Sequence, residues 1–215
     1  MAKRMTDEAP KFRRRKADRP GEIVAAALVV FAEKGFAAAR LEEIAKRAGV
    51  SKGSLYLYFD TKEALFRAVV EQGIAPEVRA IGGVLAAHPG PFSEQLDLLA
   101  QRMSALMERA PLGGVAKMVI AEARNFPELA RVWHDELVAH ALGGLAQAIA
   151  AAQARGELRA GDPRAYALGI MSPMLVGAIW RETFAPVGAP PFDLAALARQ
   201  HAQTILHGML AEPRP

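Results

Sequence analysis

Between Leu41 and Lys62 the chain reads LEEIAKRAGVSKGSLYLYFDTK, an order of residues that few local structures can accept. Leu41, Ile44, Ala45 and Ala48 recur at i, i+3, i+4 and i+7, which gives a short helix one apolar face. Glu42 and Glu43 stand four residues before Lys46 and Arg47, the favourable order for ion pairs along a helix surface. Gly49 comes just past the last apolar position, where a left-handed residue commonly ends a helix. Ser51 then offers a hydroxyl cap to a second helix. Helix, glycine turn and capped helix fix two short helices at a steep angle, the geometry of a helix-turn-helix that enters the DNA major groove.

The second helix is readable residue by residue. With Leu55 anchored in the core and about 100° of rotation per residue, Phe59, Ser51 and Tyr58 fall on or near the buried side. Gly53 and Leu57 point away from it, with Lys52 and Tyr56 on one flank and Ser54 on the other. Such a stripe suits DNA better than water. Gly53 allows close approach, Ser54 can bond a base edge or a phosphate, and Leu57 can meet a thymine methyl. Lys52, Tyr56 and Lys62 have the reach for phosphate oxygens. The same spacing also fits a plain helical hairpin with an aromatic core plug.

This stretch resembles the TetR family of one-component transcriptional regulators. The family pattern is met without gaps by Gly35, Phe36, Leu41, Ile44, Ala45, Ala48, Gly49, Val50, Ser51, Gly53, Leu55, Tyr56, Tyr58, Phe59, Lys62 and Leu65. One position departs. Where the family carries a Thr that caps the first helix of the motif and touches a phosphate, this chain has Ala39; Arg40, next in line, is the residue expected to replace the phosphate contact. The resemblance implies an all-α protein of about nine helices. It has an N-terminal three-helix helix-turn-helix domain and a larger C-terminal helical domain for ligand binding and dimerisation. The residues expected to contact DNA are Arg40, Lys52, Gly53, Ser54, Tyr56, Leu57, Tyr58 and Lys62.

Charge supports that division. Of 215 residues, the first 66 hold 14 Lys/Arg against 9 Asp/Glu, a balance of +5, whereas the remainder is close to neutral. A basic region coinciding with the motif is what phosphate binding asks for. Residues 1–17 include Lys11, Arg13, Arg14, Arg15 and Lys16 and read as a basic arm, either solvated or in contact with DNA. Residues 18–62 form the DNA-binding domain and 63–215 the regulatory domain. The first helix is expected to begin at Asp18 or Arg19, with Pro20 in its first turn and Gly35 at its end.

From about Lys62 to Leu85 a fourth helix links the two parts, with a kink expected near Pro76. His88-Pro-Gly-Pro breaks the chain. Leu96, Leu99, Ala100, Met103, Leu106 and Met107 mark one face of the next helix. Further helices are expected around Met118–Ile120, from Pro127 to about Ala154, from Pro163 behind an Asp162 cap, and behind Asp193. The uncharged run Ala165–Trp180 is 16 residues long, short of the ~20 that span a bilayer. A helix apolar on all sides is buried on all sides, so this run, with the last helix, is expected to pair with a second subunit. The interface would lie over 163–184 and 193–210, the helices through which the family resemblance also implies pairing.

The expected partners are therefore an operator duplex, a second copy of the chain and a small-molecule effector, in the cytoplasm and without a membrane. Met103, Met107, Met118, Trp133, Met171, Met174 and Trp180 are the expected pocket residues, suited to an apolar or aromatic ligand; each taken singly reads first as plain core. Arg131, His134 and Asp135 are candidate polar contacts. No catalytic residue, metal site or cofactor is expected. The chain has no cysteine, and Glu136 and His140 lack a second Glu-x-x-His unit. There is no HExxH, phosphate loop or nucleophile elbow. The competing function is a ligand-independent activator or architectural DNA-binding protein with the same fold.

Overall fold

The computed structural model describes residues 11–211, and for 11–18 the backbone alone. Helix α1 runs Lys11–Lys34, so its backbone begins seven residues before the expected start. Pro20 consequently lies inside the helix rather than in its first turn. Residues 1–10 of the expected arm, and its basic side chains, lie outside the described residues. Gly35 ends α1 with φ +80°, a conformation open to glycine at little steric cost.

Helix α2 (Leu41–Arg47) and helix α3 (Lys52–Tyr56) follow, separated by Gly49 at φ +68°. The hydroxyl of Ser51 accepts from the Ser54 amide at 3.1 Å and so caps α3. Helix α4 spans 62–87. It starts behind Thr61, whose hydroxyl accepts from the Ala64 amide at 3.0 Å. Its α-helical ends, Lys62–Ala68 and Ala75–Ala87, are joined by a π-helical turn at Val69–Ile74. The wider turn deals with Pro76, which lacks an N–H and whose ring crowds the preceding turn: it places Pro76 among the first residues of a fresh α-helical segment.

Helices α5 (Phe92–Arg109), α6 (Leu112–Glu122) and α7 (Pro127–Ala154) come next, the last with a π-turn at His134–Val138. Helix α8 (Pro163–Thr183) begins behind Asp162, whose carboxylate accepts from the Arg164 amide at 2.8 Å. Helix α9 (Leu194–Met209) begins behind Asp193, which accepts from the Ala196 amide at 2.9 Å. Both caps stand where the sequence placed them. Among the described residues there are nine helices, a short 3-10 turn at Ala185–Val187 and no strand; Leu158 and Leu210 make one isolated bridge.

Apolar packing is continuous from Ile23 to Met209. The DNA-binding and regulatory parts meet at four phenylalanines. Phe36 packs at 5.6 Å from Phe31, 6.1 Å from Phe66 and 5.0 Å from Phe126 between ring centroids. Helices α8 and α9 interlock around Pro173. The proline cannot donate to the carbonyl of Gly169 four residues back, and His201 of α9 bonds that oxygen instead, at 3.0 Å. One helix among the described residues, Pro127–Ala154, is long and apolar enough to cross a membrane by length and composition. In this fold it packs beside α4 and α8 and lines a cavity.

Candidate nucleic-acid interface and effector cavity

The recognition face follows from the burial of one residue. Leu55 is fully buried while Leu57, two positions on, is 81% exposed. Lys52, Gly53 and Tyr56 are exposed with it, Ser54 and Tyr58 are half-buried, and Phe59 closes the core side. The helical register expected from sequence thus brings Lys52, Gly53, Ser54, Tyr56 and Leu57 to one surface; Ser51, expected near the buried side, is exposed and spends its hydroxyl on the cap. Gly53 has nothing within 4 Å of where a Cβ would stand, so no packing within the chain itself calls for a glycine there.

The ion pairs differ from expectation. Glu42 and Glu43 do not pair along α2. Glu42 reaches Lys52 on α3 at 2.5 Å, Glu43 reaches Lys34 on α1 at 2.6 Å, and Arg47 grips Glu33 of α1 through two bonds of 2.6 and 3.0 Å. The acids therefore tie α1, α2 and α3 to one another. The hydrogen bond from Lys52 holds the Glu42 carboxyl below its ordinary range, and that from Arg47 does the same for Glu33. Lys52 also stands 5.8 Å from the centroid of the Tyr56 ring. Arg40 and Lys46, exposed cations on and beside α2, carry no ion pair among the described residues; Lys46 was not among the residues expected to touch DNA.

Lys62 departs most. Expected to reach a phosphate, its ammonium is turned inward. It donates to the carbonyls of Ala37 and Ala39, both at 3.1 Å, and sits 4.6 Å from the centroid of the Phe36 ring. Two of its three donors are thereby used on the protein itself. The corner it holds has no side-chain cap of its own. Arg40 occupies the N-cap position of α2 with no side-chain bond to the helix, and Ala39 is buried without a polar group to offer. Lys62, rather than Arg40, braces this corner.

A second distant residue holds the same corner. The carboxylate of Glu122, at the end of α6, accepts from the amides of Phe36 and Ala37, each at 2.8 Å. Nearby, Arg67 of α4 pairs with Glu128 of α7 at 2.5 Å. Nothing in the spacing of the motif announces these contacts, because their partners lie tens of residues away.

The regulatory part contains a cavity of about 710 Å³ between α4, α5, α7 and α8. Of the residues expected to line it, Met103 and Met171 do so. Met174 lines a small adjoining space of about 20 Å³ with the same two methionines. Met107 and Met118 are core residues away from it, and Trp133 is half-buried against the core. Trp180 belongs elsewhere: its ring stacks near Phe184 and Phe192 at 5.0 and 5.5 Å, and its indole N–H donates to the Pro190 carbonyl. Arg131, His134 and Asp135 form exposed pairs outside the cavity.

The polar lining was not foreseen. It consists of Arg79, His88, His140 and Arg155 with Gln95 and Gln147, and includes no carboxylate. Gln95 donates to the His88 carbonyl at 3.2 Å, while its own oxygen is buried without a partner. The space itself comes from absent side chains: Gly82, Gly83 and Gly144 line it, and a Cβ on any of them would meet nothing within 4 Å. No group of three or more His, Asp or Glu side chains with metal-binding geometry occurs among the described residues.

Comparison with known proteins adds to this geometry. The sequence profile of the bacterial regulatory proteins of the tetR family matches residues 23–69, and that of the AefR-like transcriptional repressor C-terminal domain matches 94–209, more than half of the chain. The regulator RutR of Escherichia coli strain K12 is 32% identical over 123 residues, covering 55% of this chain and 48% of RutR. YfiR of Bacillus subtilis strain 168, an uncharacterised HTH-type transcriptional regulator, is 35% identical over 74 residues, covering 34% of this chain and 36% of YfiR. The chain thus spans between a third and a half of the curated relatives it matches. Among solved structures, a TetR-family chain from Mesorhizobium loti MAFF303099 superposes with a TM-score of 0.70 at 25% identity, over 92% of this chain and 99% of that one. FadR of B. subtilis in complex with stearoyl-CoA superposes with a TM-score of 0.67 at 21% identity, over 87% and 98%; at that identity the likeness is one of fold.

Proposed function

Because the chain belongs to the TetR family of bacterial regulatory proteins, we propose that it is a cytoplasmic transcriptional repressor that binds a near-palindromic operator as a dimer and is released by a small molecule. The observation that carries the DNA-binding part is the outward face of α3: an exposed Gly53, Tyr56 and Leu57 on a helix anchored by a fully buried Leu55. Leu57 alone would be an ordinary exposed leucine; beside Gly53 and Tyr56 it belongs to the face of α3 that the core does not use. Against a duplex, Leu57 reads a thymine methyl, Ser54 a base edge or phosphate, and Tyr56 and Lys52 the backbone. Lys52 exchanges its exposed bond with Glu42 for a phosphate, a swap that costs little because surface pairs contribute little.

Dimerisation is supported by α8 and its neighbours, where Leu168 and Val176 are 57% and 61% exposed. Two protomers joined over 163–184 and 193–210 present two α3 helices to two half-sites.

The effector belongs in the 710 Å³ cavity, a volume within the range of small-molecule sites. Its apolar wall suits the apolar or aromatic molecule expected from the methionines, and its basic groups, of which Arg79, His88 and Arg155 each already face an acid outside the lining, add a place for an acidic group on such a molecule. The stearoyl-CoA complex of a protein with the same fold is consistent with that chemistry.

Selection of bound duplexes from a random pool, at physiological salt, tests the first part. Enrichment of one near-palindrome is the expected result, and retention without enrichment would reduce the protein to a non-specific DNA binder, the architectural reading. For the cavity, thermal melts with decanoate, decanol and decylammonium at equal concentration separate the chemistries. Decanoate is expected to raise the melting temperature most; equal effects of decanoate and decanol would remove the acidic group from the proposal.

A further inference from the structure

The turn that launches the helix-turn-helix is gripped on both sides. Around Gly35, at φ +80°, two successive amides, Phe36 and Ala37, converge on the two oxygens of the Glu122 carboxylate, each at 2.8 Å. Consecutive amides beside a left-handed residue form a small anion nest, and bonds to a charged acceptor are roughly twice as strong as neutral ones. From the other side, Lys62 takes the carbonyls of Ala37 and Ala39. An acid holds the donors of the turn and a base holds its acceptors. A Cβ on Gly35 would stand 2.6 Å from Glu122 Oε1, so the glycine serves both the backbone angle and the approach of the carboxylate.

Helix α6, which ends on Glu122, is fastened equally firmly at its other end. The Gly114 amide donates to Glu182 Oε2 at 2.6 Å, and Lys117 donates to Thr183 Oγ1 at 3.1 Å. A side chain on Gly113 would collide with the backbone of Ala178, so α6 and α8 touch main chain to main chain at this point. Eleven residues of α-helix are about 16 Å long. Helix α6 is therefore a strut between α8, which contributes Met171 to the cavity wall, and the turn that orients α2 and α3.

We propose that Glu122 is the positioning residue through which the regulatory part sets the pose of the helix-turn-helix, its carboxylate holding Phe36 and Ala37 in the DNA-reading geometry until a displacement of α6 withdraws it. The proposal rests on the regulator function above. It also gives the missing cap at Ala39 a role: a corner without its own restraint takes the position that Glu122 and Lys62 impose.

The test uses the full-length chain with Glu122→Gln, which keeps the size of the side chain but has one acceptor oxygen in place of two. Arg124→Ala, at an exposed neighbouring position, is the control. In anisotropy titrations with the selected duplex, Glu122→Gln is expected to weaken binding about tenfold, with the melting temperature and dimer state unchanged. Hydrogen exchange at the Phe36 and Ala37 amides is expected to quicken by at least about tenfold while the amides of α8 keep their protection. Glu182→Gln, at the far end of the strut, is expected to weaken binding too, and the double variant to be no weaker than Glu122→Gln alone; sites this far apart are otherwise additive.

Unchanged or tighter operator binding by Glu122→Gln overturns the proposal. So does weakening that tracks a general loss of exchange protection, which would make Glu122 a stabiliser of the fold, and so do additive effects of the two glutamines. Should the wild-type chain enrich no duplex, the regulator reading itself fails. The exchange rates of Phe36 and Ala37 then still decide the clasp: selective quickening in Glu122→Gln supports it, and no change refutes it.

Discussion

At the scale of single residues, the recognition helix and its corner respond differently to substitution. Leu57 is 81% exposed, so Leu57→Ala removes no core contact and is expected to leave the melting temperature unchanged. Its effect should appear as relaxed preference at one base pair, about 1–3 kcal/mol, in anisotropy against a panel of operator variants. Tyr56→Phe is expected to weaken all duplexes alike, because a phosphate contact carries no sequence information. Lys62→Met keeps the length of the side chain and deletes two bonds to backbone carbonyls together with the ammonium's contact with the Phe36 ring. It is expected to lower unfolding free energy by about 1–2 kcal/mol in denaturant titrations, and to weaken every duplex equally. The outward face of α3 was legible in the sequence because it depends only on helical rotation from Leu55. The bonds Lys62 makes within the chain were not, because they depend on carbonyls 23 and 25 residues away.

At the scale of elements, local chemistry announced itself and distant chemistry did not. Ser51, Thr61, Asp162 and Asp193 each cap the helix that begins after them, since a cap reaches only two or three residues. The surface acids of α2 were misassigned for the opposite reason: (i, i+4) spacing permits pairing along a helix, but neighbouring helices offered nearer cations. Helix α5 shows how a missing local cap is replaced. Its N-cap is Pro91, which has no side-chain bond to give, and Glu157 supplies the acceptor for the Phe92 amide at 2.7 Å. The bond from Arg155 foremost, and that from Phe92, hold the Glu157 carboxyl below its ordinary value of 4.5 despite partial burial. A depressed carboxylate stabilises the folded state above its unfolded pKa, and that contribution is lost as pH falls through the folded value. Glu157→Gln is therefore expected to lower the melting temperature at pH 7, with the difference from wild type shrinking below pH 4.5. A difference that grew on acidification would contradict the assignment.

At the scale of the whole molecule, the proposed assembly turns on the outer faces of α8 and α9. Leu168→Glu with Val176→Glu places two charges on the exposed apolar surface without entering the core. The double variant is expected to sediment as a monomer at concentrations where the wild-type chain is a dimer, and to bind a single half-site as well as it binds the whole operator. A stable dimer in this variant would move the interface elsewhere. The uncharged run Ala165–Trp180 pointed to this face from sequence alone. The seam with the DNA-binding part is made by Glu122 and Phe126, which meet Phe36 and Ala37. The cavity was the least legible feature. Large flexible methionines attracted attention, whereas the space belongs to residues with nothing to show in a hydropathy pattern.

That last point bears on how such a protein can change its chemical tastes over generations. Gly82, Gly83 and Gly144 lie within helices and face open space. Replacing a helical glycine by alanine favours the helix by roughly 0.5–1 kcal/mol. Each step that narrows the chamber is thus also a step toward a sturdier fold. Drift alone would fill the space, so under the proposed function a lineage keeps it open only while a bulky inducer selects for it. A lineage that loses the inducer would shed its sensitivity without any penalty in folding.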